Sequence, residues 1–187
     1  MRVIAGSAKG HNLKMPGGGK TRPAMDKVKA SLFSILMPRM AGSRFLDLFA
    51  GSGSLGIEAL SRGAEYAAFV DTAIQCVETI KANLVHTKLV SRGEIFREDC
   101  IKFIKRKTDS VFDIVCIDPP YSKNLLEPIL ENLHLCTMFS ERTIFILERR
   151  KKDIISVTPE NKLILIDERE FGETVLSFIK IKNLPIL

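Results

Sequence analysis

The chain has 187 residues, of which 45% are hydrophobic and 27% charged, so it can form a packed core and is not a disordered polyelectrolyte. Its 28 Lys and Arg side chains exceed its 22 Asp and Glu side chains, for a formal net charge of +6. No apolar run approaches the roughly 18 residues of a membrane helix, and the N-terminal residues lack the apolar core of a signal peptide. No C-x-x-C pair supports a zinc site or a disulfide framework. We therefore expect a cytoplasmic protein without membrane association or bound metal.

The positive charge lies at the N-terminus. Residues 1–44 hold nine basic side chains and one acid, whereas residues 45–187 carry a net charge of −2. A basic segment on a near-neutral body favours a polyanion partner, because each cation placed on a phosphate releases counterions; a solubilising tail is the alternative. We predict a basic N-terminal extension over 1–43, with a short hairpin, a mobile glycine loop and a helix, and a main domain over 44–187.

The spacing of the apolar residues predicts short elements in the N-terminal extension. Short extended pieces at Arg2–Ala5 and Asn12–Lys14 precede the glycine-rich residues 16–19, which are expected to lack regular structure. A helix is predicted over Ala24–Met37, and Pro38 ends it. From residue 44 onward, predicted strands alternate with predicted helices. The strands are Arg44–Phe49, Tyr66–Val70, Glu94–Phe96, Phe112–Ile117 and Thr143–Leu147. The helices that separate them are Ser54–Ser61, Ala73–Val85, Asp99–Arg106 and Leu125–Leu135.

The C-terminal part breaks this alternation. Lys162–Arg169 and Thr174–Ile181 read as strands separated only by a turn around Phe171-Gly172, which predicts an antiparallel hairpin. Strands that alternate with helices form parallel sheets through right-handed crossovers. The sequence therefore predicts an α/β fold: a mostly parallel seven-stranded sheet with a C-terminal antiparallel hairpin and helices on both faces.

A glycine loop follows the first strand of the main domain. Gly51, Gly53 and Gly56 satisfy G-x-G-x-x-G, in which glycines allow positive φ and close approach of a ligand at a helix N-terminus. Asp71 lies 20 residues after Gly51, at the end of the next strand, where a carboxylate can accept from ribose hydroxyls. Dinucleotide-binding and S-adenosylmethionine-binding proteins share this motif, so by itself it favours neither.

Two further acids bear on the choice of cofactor. Asp47, four residues before Gly51, would repel a pyrophosphate but attract the sulfonium and ammonium of S-adenosylmethionine. Asp99 follows the third strand and either accepts from the adenine amino group or caps the next helix. The predicted cofactor contacts are Asp47, Phe49, Ala50, Gly51, Ser52, Gly53, Asp71, Asp99, Cys100 and Asp118.

The tetrapeptide Asp118-Pro119-Pro120-Tyr121 follows an apolar strand and is the predicted catalytic segment. Two prolines hold the backbone rigid and lack N–H groups. The Asp118 carboxylate and the Pro119 carbonyl can each accept a hydrogen from an exocyclic amine of a base, which stabilises the positive charge that develops on nitrogen during methyl transfer. Tyr121 offers a face on which the base stacks.

These motifs resemble the S-adenosylmethionine-dependent methyltransferases that modify exocyclic amines through an Asp/Asn-Pro-Pro-aromatic motif. More narrowly, the chain resembles the RsmD-like family, which methylates a guanine N2 of bacterial small-subunit ribosomal RNA. The resemblance runs almost from end to end, and its specific parts are the opening Met1–Gly6 and Thr21-Arg22-Pro23. It departs from the family pattern at Ala24, Met25, Lys27, Ala30 and Asp71.

The resemblance implies a Rossmann-like class I methyltransferase fold and transfer of a methyl group from S-adenosylmethionine to guanine N2 in 16S ribosomal RNA. The expected partner is that RNA, naked or within a small-subunit assembly particle, and a monomer is expected. Alternatives are a DNA adenine-N6 methyltransferase, a dinucleotide-dependent oxidoreductase, or a noncatalytic RNA-binding protein. The predicted RNA contacts are Arg2, Lys9, Arg22, Lys27, Lys29, Arg149 and Arg150.

Overall fold

The structure follows the predicted alternation of strands and helices. The computed structural model describes residues 1–18, 23–120, 125–158 and 160–182, and the chain forms two units, Met1–Asp99 and Cys100–Leu187. The described ranges contain five α-helices: α1 Pro23–Leu36, α2 Ser54–Ser61, α3 Ile74–His86, α4 Cys100–Ile104 and α5 Leu126–Leu133. They also contain seven strands: β1 Arg44–Asp47, β2 Tyr66–Asp71, β3 Gly93–Arg97, β4 Ile114–Ile117, β5 Ile144–Arg150, β6 Leu163–Phe171 and β7 Thr174–Ile181.

The first unit is built on three parallel strands. β1 pairs with β2 and β2 with β3, in a register that sets Asp47 beside Phe69 and Asp71 beside Arg97. Parallel neighbours need crossover connections, which α2 and α3 provide. Helix α2 packs closely on β2 because Gly56 has no side chain: a Cβ at that position would lie 2.3 Å from Cε1 of Phe69. Because β1 and β2 are parallel, Asp47 and Asp71 both end their strands at the same edge of the sheet.

The N-terminal extension packs on α2 of this unit. An antiparallel bridge between Arg2 and Asn12 forms the short hairpin, and Val3 and Leu13 are buried. Gly6 turns the chain at φ +82°, where a Cβ would lie 1.8 Å from the carbonyl oxygen of Ser61. Residues 16–18 form a single tight turn in which Gly17 departs from helical geometry, with φ 64° and ψ 16°; Gly19 lies outside the described residues.

The second unit contains the remaining four strands. β4 and β5 pair in parallel from Ile114↔Ile144 to Ile117↔Leu147. β5 then pairs antiparallel with β7, which pairs antiparallel with β6 across the turn at Phe171 and Gly172. The predicted C-terminal hairpin is confirmed, and β7 has the predicted bounds. The fold class is also confirmed: the first unit holds three parallel strands, and the second holds four strands that end in the antiparallel hairpin.

The predicted ends of β5 and α4 need correction. β5 was predicted to end at Leu147, but it continues to Arg150 because its last residues pair with β7, with Arg150 beside Thr174. Helix α4 spans Cys100–Ile104 and is shorter than predicted. None of the helices in the described ranges is long and apolar enough to cross a membrane. The predicted boundary between an extension at 1–43 and a domain at 44–187 stays a prediction.

Candidate active site

The glycine loop after β1 has a defined backbone. Gly51 and Gly53 adopt φ of +53° and +76°, which L-residues rarely adopt. The Gly53 N–H donates to the Ala50 carbonyl at 2.6 Å, and the Ala50 N–H donates to the Val70 carbonyl at 3.0 Å. The loop is therefore closed by its own turn and attached to the end of β2.

Asp71 connects this loop to the start of α3. Its Oδ2 accepts from the Gly51 N–H and its Oδ1 accepts from the Ala73 N–H, both at 2.9 Å. Burial, together with the same carboxylate, raises the pKa of the Cys76 thiol to about 11. Because a carboxylate has about four acceptor positions, Asp71 retains acceptor capacity for a hydroxyl-bearing ligand.

Asp47 lies beneath the loop and is 2% exposed. Burial raises its pKa to about 7, the charge of Asp71 acts in the same direction, and backbone N–H groups of Gly56 and Phe49 donate to the carboxyl group and oppose the shift. A carboxyl group with this pKa is close to half ionised at neutral pH. It would strengthen binding of a cation at the loop and oppose binding of a phosphate.

The loop can accept the predicted cofactor. A Cβ built on Gly51 would meet no atom nearer than the Phe49 carbonyl oxygen at 4.0 Å, so the space beside Gly51 is open. The neighbouring Ala50 and Ser52 are each 6% exposed and belong to the packed body of the unit. An open glycine face, a ribose acceptor in Asp71 and a carboxyl group in Asp47 fit the chemistry of S-adenosylmethionine.

Asn83 of α3 also contacts the loop, which the sequence reasoning missed. Its side chain is fully buried, and its Nδ2 donates to the Ser52 carbonyl at 2.9 Å and to the Lys14 carbonyl at 3.0 Å. Its Oδ1 accepts from the Lys14 N–H at 2.8 Å. No sequence pattern predicts that a single asparagine on a helix supports the loop, because its hydrogen-bond partners are 31 and 69 residues away.

Lys29, which the sequence predicted as an RNA contact, lies in a buried ionic cluster. Its Nζ donates to the Arg2 carbonyl at 2.7 Å and to Ser54 Oγ at 3.0 Å, and lies 3.4 Å from Glu58 Oε2. The Lys29 side chain is 4% exposed, and burial lowers its pKa while the Glu58 carboxylate opposes the shift. This placement corrects the prediction that Lys29 contacts RNA, because the ammonium is enclosed by the protein.

Three other predicted RNA contacts lie together in the first unit. Arg2, Lys9 and Lys27 line a cleft of about 340 Å³ between the N-terminal hairpin and α1. The remaining lining residues are Val3, Ile4, Gly10, Asp26 and Ala30. The three basic side chains are exposed, so they can reach a phosphate in solution. Arg22 lies outside the described residues.

The predicted catalytic segment directly follows β4 in the second unit. Asp118 is half-buried, Pro119 is buried and Pro120 is exposed; Tyr121 lies outside the described residues. The rings of Pro119 and Pro120 fix φ at two consecutive residues, which restricts the backbone as two converging acceptors require. Of the other predicted cofactor contacts, Phe49 is half-buried, Asp99 is exposed immediately before α4, and Cys100 is buried at its first position.

Arg149 is engaged within the C-terminal hairpin. Its guanidinium donates to Glu168 Oε1 at 2.7 Å, to Ser177 Oγ at 3.1 Å and to the Asp153 carbonyl at 3.0 Å. With its side chain 11% exposed, Arg149 joins β5 to β6 and β7, and its role as an RNA contact stays a prediction. Arg150 is exposed at the end of β5 and stays a candidate.

Comparison with known proteins places these features in a family. Residues 1–180 match the family model described as Conserved hypothetical protein 95. The chain is 37% identical to YlbH of Bacillus subtilis over 96% of its own length and 98% of the relative. It is 36% identical to Ribosomal RNA small subunit methyltransferase D of Haemophilus influenzae over 88% of its own length and 86% of the relative. The solved structure of yhhF from Escherichia coli superposes with a TM-score of 0.84 at 27% identity, covering 98% of this chain and 99% of that one.

Proposed function

Since the chain belongs to the Conserved hypothetical protein 95 family, we propose that it transfers a methyl group from S-adenosylmethionine to N2 of a guanine in 16S ribosomal RNA. The relative from Haemophilus influenzae, a small-subunit ribosomal RNA methyltransferase by name, supports this substrate class. The resemblance of Asp118-Pro119-Pro120-Tyr121 to the amine-methylating motif supports an exocyclic amine of a base as the methyl acceptor. The proposal includes a monomeric cytoplasmic enzyme that acts on the RNA or on an assembling particle.

The observation that carries the proposal is the buried Asp47 carboxyl group beneath the glycine loop. A dinucleotide would place its pyrophosphate beside this acid, and the two like charges would repel each other in a site of low dielectric constant. S-adenosylmethionine has no phosphate and carries two cationic groups. The geometry therefore favours methyl transfer over the dinucleotide-dependent alternative.

The chain's own residues supply orientation and charge stabilisation. Bound S-adenosylmethionine provides an electrophilic methyl group. Asp118 and the Pro119 carbonyl accept the two amine hydrogens, which directs the nitrogen lone pair at the methyl carbon and stabilises the charge that develops on nitrogen. As the new N–C bond replaces the bond from sulfur to the methyl carbon, the nitrogen releases one of these hydrogens as a proton to solvent, which leaves the methylated amine neutral. The target guanine must be unpaired or turned out of its stack, because its amino group is otherwise covered.

One assay tests the whole proposal. Unmodified small-subunit RNA and small-subunit particles lacking the modification are incubated separately with the purified protein and methyl-labelled S-adenosylmethionine, and the labelled nucleotide is mapped. We expect one N2-methylguanosine, and the more active of the two substrates identifies the natural one. Label in DNA adenine, or RNA binding without label, would support the corresponding alternative and overturn the proposal.

Cofactor affinity is expected to depend on pH through Asp47. Its carboxyl group has a pKa of about 7, so it is largely neutral at pH 6 and ionised at pH 8. The ionised form attracts the cationic cofactor, so affinity rises with pH by up to about tenfold per unit. Calorimetric titration with S-adenosylmethionine at both pH values should show this rise in the wild type and not in Asp47→Asn.

The control for this experiment is Glu65→Gln, which changes an exposed acid and should keep the wild-type pH profile. Titration of the cofactor's own amino group changes its affinity for all three proteins equally. The difference in pH profile between wild type and Asp47→Asn therefore isolates the contribution of the Asp47 side chain to that affinity. An identical profile in wild type and Asp47→Asn would show that Asp47 is not the charge partner.

RNA affinity is expected to depend on the basic cleft. Replacing Lys9 and Lys27 with Gln removes two exposed cations from the cleft. The slope of log affinity against log salt should fall by about 0.7–0.9 for each phosphate that the protein no longer neutralises. Binding of an unmodified small-subunit RNA transcript at several salt concentrations measures the slope, and calorimetry should find cofactor affinity without RNA unchanged. Gln replacements at the exposed Lys81 and Lys107 are the matched control, and equal slopes for both double variants would contradict the assignment.

A further inference from the structure

One buried amide contacts both the N-terminal extension and the cofactor loop. The Asn83 side chain accepts from the Lys14 N–H, donates to the Lys14 carbonyl, and donates to the Ser52 carbonyl, with distances of 2.8, 3.0 and 2.9 Å. These three bonds use both hydrogens of the amide nitrogen and the amide oxygen. Asn83 is therefore shared between two segments that have different proposed ligands.

The Ser52 carbonyl belongs to the peptide that joins Ser52 to Gly53 in the glycine loop. The N–H of the same peptide, that of Gly53, donates to the Ala50 carbonyl at 2.6 Å, and Gly53 adopts φ +76°. The orientation of this peptide therefore depends on the bond from Asn83 on one side and on the loop's own turn on the other. A change in that bond alters the backbone against which the cofactor binds.

The extension has a second attachment near the same loop. Lys29 Nζ contacts both the Arg2 carbonyl and Ser54 Oγ, and Ser54 is the first residue of α2 after the loop. Glu58 accepts from the Ile4 N–H at 2.8 Å and from the Ala5 N–H at 3.0 Å. The extension and the loop are thus joined by hydrogen bonds on two sides.

The hydrogen bonds of a shared buried amide are cooperative. If Lys14 moved away, the Asn83 amide would lose two of its three bonds and would either stay unsatisfied or turn away from Ser52. An RNA bound at Arg2, Lys9 and Lys27 would restrain the extension in its docked position and would lower the conformational entropy that cofactor binding must still remove.

We infer that Asn83 is a positioning residue that couples RNA binding by the N-terminal extension to cofactor binding by the glycine loop. This inference rests on the proposed function, because it needs both ligands. By linkage, RNA raises the affinity for the cofactor by the same factor as the cofactor raises the affinity for RNA.

The test measures that factor directly. S-adenosylhomocysteine is titrated calorimetrically into the protein alone and into the protein saturated with unmodified small-subunit RNA, so no turnover interferes. We expect RNA to tighten binding at least about fivefold in the wild type, the lower end of typical coupling between sites. In Asn83→Asp, which keeps the acceptor for the Lys14 N–H but loses the amide donors, the factor should fall close to one.

A second pair of variants leaves Asn83 untouched. Lys14→Pro removes the N–H that donates to Asn83, whereas Lys14→Gln loses the same charge and keeps the N–H. The factor should fall in the first and stay at the wild-type value in the second. Asn132→Ala, which removes a local bond to the Pro128 carbonyl, should also keep the wild-type factor.

The outcomes separate the inference from the proposed function. A wild type that binds both ligands with a factor of one overturns the coupling and leaves the proposed function standing. A factor above one that persists in Asn83→Asp and Lys14→Pro overturns the role of Asn83. Failure of the wild type to bind S-adenosylhomocysteine at all overturns the proposed function and the inference that rests on it.

Discussion

Replacing Asp118 with alanine is expected to lower the rate of methyl transfer by about 100- to 1,000-fold, the usual effect of removing one group that stabilises charge in a transition state. The side chain is half-buried directly after β4, and in the proposed mechanism its carboxylate accepts from the target amine. Single-turnover measurement of label transfer gives the rate. Calorimetry with S-adenosylmethionine should find cofactor affinity nearly unchanged.

Two further variants make this result specific. Asp118→Asn keeps a carbonyl acceptor, as in the Asn-Pro-Pro form of the motif, and should retain much more activity than the alanine variant. Asp109→Ala removes an exposed acid before the same strand and should behave as the wild type. Equal loss of cofactor binding and of transfer in Asp118→Ala would show that Asp118 belongs to the cofactor site alone.

Glu58→Ala is expected to reduce the free energy of unfolding by about 3–5 kcal/mol, the usual cost of leaving a buried charge without its partner. The Glu58 side chain is fully buried and contacts the Lys29 ammonium at 3.4 Å and Arg62 Nε at 2.7 Å. It also accepts from two backbone N–H groups of the extension. Urea denaturation measures the loss, and Glu78→Ala, at an exposed position on α3, should change stability by no more than about 0.5 kcal/mol.

The double variant Glu58→Ala, Lys29→Met tests the cause of that loss. Burial lowers the pKa of Lys29, and the Glu58 carboxylate acts in the opposite direction, so the single variant leaves an ammonium that is buried and unbalanced. Replacing it with an apolar side chain should recover part of the stability. If the double variant is no more stable than Glu58→Ala, the missing bonds to the extension backbone account for the effect instead.

The elements that sequence periodicity identified well are those with strong local signals. Helix α2 has its predicted bounds because the glycine turn marks its start, and β7 does because β-branched and aromatic residues follow a glycine turn. The end of β5 was missed because its last residues, Glu148 to Arg150, are polar and belong to the strand only through pairing with β7. A local pattern does not contain that partner.

The candidate site divides in the same way. The glycine turn and the acids at the ends of β1 and β2 carry local sequence signals, and the structure places Asp71 against this turn through the Gly51 N–H because parallel strands bring their C-terminal ends to one edge. Lys29 was predicted as an RNA contact because its charge and its place among basic residues suggest an exposed side chain. The structure instead buries it against Glu58, an acid far along the chain that periodicity does not connect to it.

The sequence by itself determined the alternation of strands and helices, the family, the cofactor chemistry of the glycine loop and the excess of positive charge in the extension, because each depends on residue types at short spacing. Only the tertiary structure decided which of those charges face solvent, that Arg149 stabilises the hairpin, and that Asn83 joins Lys14 to Ser52. The physical reason is distance along the chain. Burial and hydrogen bonding of these side chains depend on partners 19 to 69 residues away, which are brought together only when the strands, helices and extension pack against one another.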